Sequence, residues 1–145
     1  MDFFTSMDIS SSGMTAERVR MNLISSNIAN ANATHTKEGG PYKRKDPVFS
    51  AIAAASGLNG GSNTRGSMEL KRVEVSGIRE DQSPPRVQYD PTHPDADDKG
   101  YVSLPNVNVI EEMVDMVSAT RAYEANVTAA QAAKSMAMKT LELLR

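Results

Sequence analysis

The stretch from Val109 to Leu144, VIEEMVDMVSATRAYEANVTAAQAAKSMAMKTLELL, contains neither proline nor glycine and repeats apolar residues at helical spacing. Every seventh residue from Val109 gives Val109, Met116, Tyr123, Ala130, Ala137 and Leu144. The alternate set gives Met113, Thr120, Val127, Lys134 and Leu141. Only Thr120 and Lys134 break this seam, which predicts one long helix with a coiled-coil-like face. At ~1.5 Å per residue such a helix runs roughly 50 Å, longer than a small compact domain covers.

Its start is punctuated. Pro105 ends what precedes it, Asn108 stands where an N-cap belongs, and Glu111 three residues on is spaced for a capping box. Glu111, Glu112 and Asp115 sit in the first turns, and Lys134, Lys139 and Arg145 near the end, as the helix dipole favours. Advancing about 100° per residue from Tyr123 places Ser118, Ala125, Ala129, Ala132 and Met136 on the side opposite the seam. That second face is small and mostly apolar, and burial of apolar area is worth ~25 cal/mol per Å². A single helical neighbour covers one side only. The expectation is a subunit that completes its core by assembling, against the competing expectation of a central helix in a monomeric bundle.

Only one other helix is evident. From Phe3 to about Asn30, Phe3, Met7, Met14, Met21, Ile24 and Ile28 recur at helical spacing, with Ser10 and Glu17 falling on the same side. Gly13 and its neighbouring serines weaken the first half, so Thr15 to Ala29 is expected to be the firmer part. The asparagine-rich run Ser26-Asn27-Ile28-Ala29-Asn30-Ala31-Asn32 is expected to stop the helix.

Residues 35–106 differ in character and hold all seven prolines, with ten basic and ten acidic residues. They read as a polar, neutral insert of loops and short strands. One extended run follows the turn at Gly39-Gly40-Pro41. A strand is expected through Met68, Leu70, Val73 and Val75, with an alternation slip near Lys71 and Arg72, and another over Arg86 to Tyr89. Pro84, Pro85, Pro91 and Pro94 keep the latter short and at a sheet edge. Ser56 to Gly66, rich in glycine, serine and asparagine, reads as a loop tip. The fold class is thus mainly α with a small β insert. Residues 1–34 and 107–145 together form a helical coiled-coil inner core, and 35–106 an extended or β outer insert.

The chemistry classes are mostly excluded. An apolar content of 39%, 5% aromatics and no tryptophan argue against a large self-sufficient core. A formal charge of −2 without a basic stripe makes nucleic acid an unexpected partner. There is no cysteine, and no run of about 20 apolar residues for a membrane span. Met1 to Arg20 has no basic leader or apolar run of the cleaved secretory type. His35 and His93 lie in polar loops without metal-ligand spacing. Asp95-Ala96-Asp97-Asp98-Lys99-Gly100 fails as a calcium loop, because Lys99 and Asn106 occupy positions that need an oxygen ligand and a glutamate; it reads as a turn into Tyr101. No phosphate-binding or nucleophile-elbow motif occurs. No catalytic residue, cofactor or metal is expected.

The two ends together carry a resemblance. Ser25-Ser26-Asn27-Ile28-Ala29-Asn30-Ala31-Asn32-Ala33-Thr34, and Asn106 to Met116 followed by Ser118 to Asn126 and Lys134-Ser135-Met136, resemble the terminal signatures of the flagellar rod and hook axial proteins. Gly40-Pro41-Tyr42-Lys43-Arg44-Lys45, Tyr89-Asp90-Pro91 and Gly100 to Val107 resemble the proximal-rod members of that family. The resemblance implies a non-enzymatic subunit of the bacterial basal body, exported by the flagellar type III apparatus and polymerising into a tubular, torque-transmitting rod in the periplasm. It implies paired terminal helices around the channel. As a mechanism, these helices are expected to stay loosely structured in the monomer and to order on incorporation. It implies as partners other copies, other rod proteins, and the proteins at the junction of the MS ring and export gate. The residues expected to pack are Met14, Met21, Ile24, Asn27, Ile28 and Asn30 on the first helix and the two faces of the last. The alternative from another class is a soluble helical binding module or export adaptor that uses the same seam to hold one partner.

Overall fold

A computed structural model describes residues 3–37, 39–53 and 70–143. Among these the chain forms α1 (Phe3–Ala29), β1 (Lys45–Ala53), β2 (Lys71–Glu80), β3 (Arg86–Tyr89), β4 (Tyr101–Leu104) and α2 (Val109–Leu143), in that order. The architecture is two long helices flanking a small β middle. The Ser56–Gly66 run, Met68 and Leu144 lie outside the described residues.

The helices pack side by side and run in opposite directions: Asn27 meets Glu112, Met21 meets Thr120, and Gly13 meets Asn126. α1 is unbroken through Gly13, contrary to the weak first half expected from its glycine and serines. The reason is tertiary. A Cβ built at Gly13 would lie 2.9 Å from both Asn126 Oδ1 and Nδ2, so the missing side chain lets α2 approach closely. Ser10, 6% exposed, and the partly buried Glu17 sit on the same inward face. Gly13→Leu is therefore expected to force the helices apart and cost about 1–3 kcal/mol, read as a lower urea midpoint. Shortening the opposing side chain with Asn126→Ala should recover part of the loss. An unchanged midpoint in Gly13→Leu would mean the close approach is not required.

α1 ends at Ala29, at the asparagine run. The Asn30 backbone amide donates to Ser26 O at 3.1 Å and its side-chain Nδ2 to the same oxygen at 2.8 Å, satisfying a carbonyl of the last turn. At the start of α2, Asn108 Oδ1 accepts from the Ile110 amide at 3.1 Å, an N-cap. No hydrogen bond from Glu111 back to Asn108 is formed, so the reciprocal half of the capping box is absent among the described residues.

The β middle is two separate antiparallel pairs, β1 with β2 and β3 with β4. The first hairpin lies along α1, where the Val73 amide donates to Ser12 Oγ at 3.2 Å. Its irregularity falls between Val48 and Phe49, opposite Gly77 and Val75, so Ser76 is the extra residue; it is not at Lys71 and Arg72 as the alternation suggested. The Ser76 hydroxyl donates to Val48 O at 3.0 Å across the bulge. Apolar alternation alone does not locate a bulge whose extra residue is a serine. The second pair joins Arg86 to Leu104 and Tyr89 to Tyr101. Asp97 Oδ1 accepts from the amides of Lys99 and Tyr101, which makes 95–100 a side-chain-stabilised turn. Gly100 closes it at φ +79°, and the Tyr89 ring stands where its Cβ would go.

Fully buried apolar residues are few and small: Ala16, Ile24, Ala31, Val102, Val107, Ala119 and Ala133. The largest side chains that are almost completely enclosed are Glu112, Asn27 and Pro105. Two of these three are polar, and they mark the junction where both helices meet the insert.

Candidate assembly site

Two features stand out: a buried polar clasp at that junction and an uncovered face on α2. The clasp begins with Asn27, 1% exposed on the last turn of α1. Its Nδ2 donates to Lys45 O and to Glu112 Oε2, each at 3.0 Å. Its Oδ1 accepts from the Tyr42 hydroxyl and the Lys45 amide, also at 3.0 Å. All four hydrogen-bonding positions of the amide are filled.

Glu112, 0% exposed in the first turn of α2, accepts from Asn27 on one oxygen and from Arg44 Nε on the other. Arg44 reaches Asp46 with Nη1 and lies 3.6 Å from Asp115 with Nη2. Asp115 in turn pairs with Arg20 of α1 at 3.4 Å. Burial works against the Arg44 charge. The hydrogen bond and charge of Glu112, with Asp46 and Asp115 behind it, outweigh that and hold its pKa above the usual arginine value. An isolated carboxylate in this place would be costly. Here both Glu112 oxygens have partners, so the cluster fixes which turn of α1 faces which turn of α2 and where β1 departs.

Reading outward from the clasp, the inward line of α2 is Glu112, Ala119 and Ala133, all buried, with half-buried Asn126 between them at the same spacing of seven. This line lies one residue to the side of the first expected seam. Val109, Met116, Tyr123 and Ala130 are half-buried along its flank, and so is Val127. Met113 and Leu141, expected in the seam, are 54% and 69% exposed. On α1, Ile24 is buried and Met14, Met21, Ile28 and Asn30 are half-buried. An apolar heptad search on α2 passes over Glu112 and Asn126, which meet Asn27 and Gly13 of α1. The signal that was available is the seven-residue spacing of Glu112, Ala119, Asn126 and Ala133, together with Arg44 as an unassigned cation in the linker.

The side of α2 turned away from α1 is bare. Ala125, Ala129, Ala132 and Met136 are exposed. Toward the start of the helix, Ile110, Val114 and Val117 are 74%, 66% and 53% exposed, and with Met113, Ser118 and Arg121 they line a shallow groove. These positions recur at i, i+3, i+4 and i+7, the spacing of an apolar stripe meant to be covered. Elsewhere, Asp95 lies between the two histidines: it is 3.5 Å from His35 Nε2, and its amide donates to His93 Nδ1 at 3.1 Å. Among the described residues no three candidate metal ligands gather, and no helix is long and apolar enough to cross a membrane.

Comparison with known proteins gives this geometry a context. Residues 7–35, covering most of α1 and the asparagine run, match the family described as "Flagella basal body rod protein". Residues 98–143, covering β4 and α2, match the one described as "Flagellar basal body rod FlgEFG protein C-terminal". Along its whole length the chain is 43% identical to a flagellar basal-body rod protein FlgC of Borreliella burgdorferi, covering 99% of that relative. It is 46% identical to the FlgC of Bacillus subtilis over 99% of both chains. It is 42% identical to one from Escherichia coli over 94% of this chain and 93% of the relative.

Proposed function

Since the chain belongs to the family of flagellar basal-body rod proteins FlgC and is a structural subunit of that rod, we propose that its two terminal helices form the inner layer and its β middle the outer layer. In this reading 1–34 and 107–145 pair as a coiled coil beside the central channel, and 35–106 faces outward. The observation that carries it is the bare apolar stripe of α2, opposite the clasped face. A stripe of this size on a lone subunit needs a cover, and a rod supplies neighbours.

Other parts of the reading follow from the same features. The subunit leaves the cell through the flagellar type III apparatus and takes its place in the periplasmic part of the basal body. Its core, in which Ile24 is the one apolar side chain larger than valine among the buried residues described, contributes little stability alone. That supports terminal helices that are loosely structured away from the clasp in the single chain and order fully on incorporation, so export and assembly use the same segments. Other rod proteins and the junction proteins of the MS ring and export gate are its neighbours. It performs no catalysis and takes no cofactor; torque passes through many packed contacts.

The test is imaging of basal bodies from a strain that lacks this chain. Loss of the rod beyond the membrane ring, restored by the wild-type chain, is the expected result. Complete rods without it would overturn the reading.

A further inference from the structure

The segment that leads into β1 has two sides. Arg44 is turned into the clasp, while its neighbours Lys43 and Lys45 line a cleft of about 380 Å³ together with Lys37, Tyr42 and Glu80. An extended chain alternates its side chains in this way. The rim of the cleft is the turn 36–40, in which the Gly39 amide donates to Thr36 O and the Thr36 amide to Gly40 O, each at 3.0 Å. Gly39 and Gly40 take φ of +87° and +78°, and a Cβ built on either would meet nothing within 4 Å. The rim is therefore open to an incoming chain.

The charges in the cleft do not balance. Lys45 Nζ lies 3.5 Å from Glu80 Oε1 and 5.9 Å from the centre of the Tyr42 ring. Lys37 and Lys43 are exposed and form no ion pair among the described residues. Glu38, in the same turn, lies outside those residues. Three lysines of the described lining thus face one carboxylate, in a chain whose formal charge is −2. We propose that this cleft binds an acidic peptide segment of a partner protein, whose carboxylates meet Lys37 and Lys43. Glu80 shows the mode, since its carboxylate already stands at Lys45. Lysine presents a compact charge that one carboxylate oxygen satisfies. Arg44, the one guanidinium of the run 43–45, gives its planar fork to Glu112 and Asp46 and none of it to the cleft. A concave polar site also suits a peptide better than a flat bilayer, whose binding draws on buried apolar area. The clasp feels the occupant. Tyr42 lines the cleft and donates its hydroxyl to Asn27 Oδ1, and Lys45 gives the same asparagine its backbone amide and carbonyl. Filling the cleft restrains the segment that joins both helices, so binding tightens the clasp. The site uses neither face of α2 and goes beyond the rod reading.

The test is fluorescence anisotropy of a labelled oligoglutamate peptide titrated with the full chain at low salt. Saturable binding is expected, about tenfold weaker for K37E/K43E, because each substitution replaces an attraction by a repulsion. K99E/K139E makes the same change in net charge at two exposed lysines elsewhere and should bind as the wild type does. Lys43→Gln alone removes one charge without adding repulsion and should weaken binding severalfold, which guards against a folding defect in the double variant. The peptide should also raise the urea midpoint of the wild-type chain and leave that of K37E/K43E unchanged. Several results would each overturn the proposal and leave the rod reading standing. They are no binding by the wild type, equal weakening by the two double variants, displacement of the peptide by inorganic phosphate at matched ionic strength, and binding to phosphatidylglycerol vesicles without binding to the peptide.

Discussion

Glu112→Ala is expected to lower the stability of the isolated chain by about 3 kcal/mol, measured by urea unfolding followed by circular dichroism. Removing one member of a buried ion pair typically costs about 3–5 kcal/mol, because the partner is left desolvated. The low end applies here, since Arg44 keeps Asp46 and Asp115. Asn27 meanwhile loses the acceptor for one of its donated hydrogen bonds. The adjacent Glu111→Ala is the control: Glu111 is exposed and unpaired among the described residues, so its loss should stay within about 0.5 kcal/mol. Equal effects of the two substitutions would mean that the clasp contributes nothing beyond ordinary surface charge. Glu112→Gln is expected to fall between them. The glutamine keeps an oxygen for Arg44 but turns an amide donor toward the Asn27 donor.

The second large effect is expected at Val127, half-buried in the middle of α2. Val127→Pro removes one rung of the helix and drives the ring into the carbonyl four residues back, at a cost of about 3 kcal/mol or more. Its placement makes the consequence broader than a local kink. Residues N-terminal to it hold the clasp and the outer stripe, and residues C-terminal to it continue the bare face through Ala129, Ala132 and Met136. A bend at this point misaligns the two ends of the subunit with respect to each other. Intact expression with loss of rods in electron micrographs is the expected outcome. Normal rods in this variant would show that α2 need not be continuous.

What the sequence made legible follows from what each pattern encodes. α2 was readable almost to the residue, because 36 residues without proline or glycine, opened by Asn108, have few alternatives to a helix. The stop of α1 was readable from the asparagine chemistry after Ile28. Continuity of α1 through Gly13 was not, because it depends on Asn126, which lies 113 residues away in sequence. The same holds for the clasp. Glu112 looks like one more acidic residue suited to the helix dipole, and only the fold brings Arg44 and Asn27 to it. The outer face of α2 was visible as Ser118, Ala125, Ala129, Ala132 and Met136. Its larger residues, Ile110, Val114 and Val117, were passed over because the seam search was centred one residue away from the line that packs on α1. Periodicity reports that a helix has two apolar sides; which side the chain itself covers is decided by the small and polar residues at the crossing.

In the rod, α2 is expected to be clasped on one side by its own chain and covered on the other by neighbours. Electron cryomicroscopy of isolated basal bodies tests this most directly, at a resolution that places side chains. Density of an adjoining subunit is expected over Ile110, Val114 and Val117, with Glu112 enclosed between Asn27 and Arg44. A rod in which that stripe faces open solvent or the channel, and neighbours meet only through α1 or the hairpins, would contradict it.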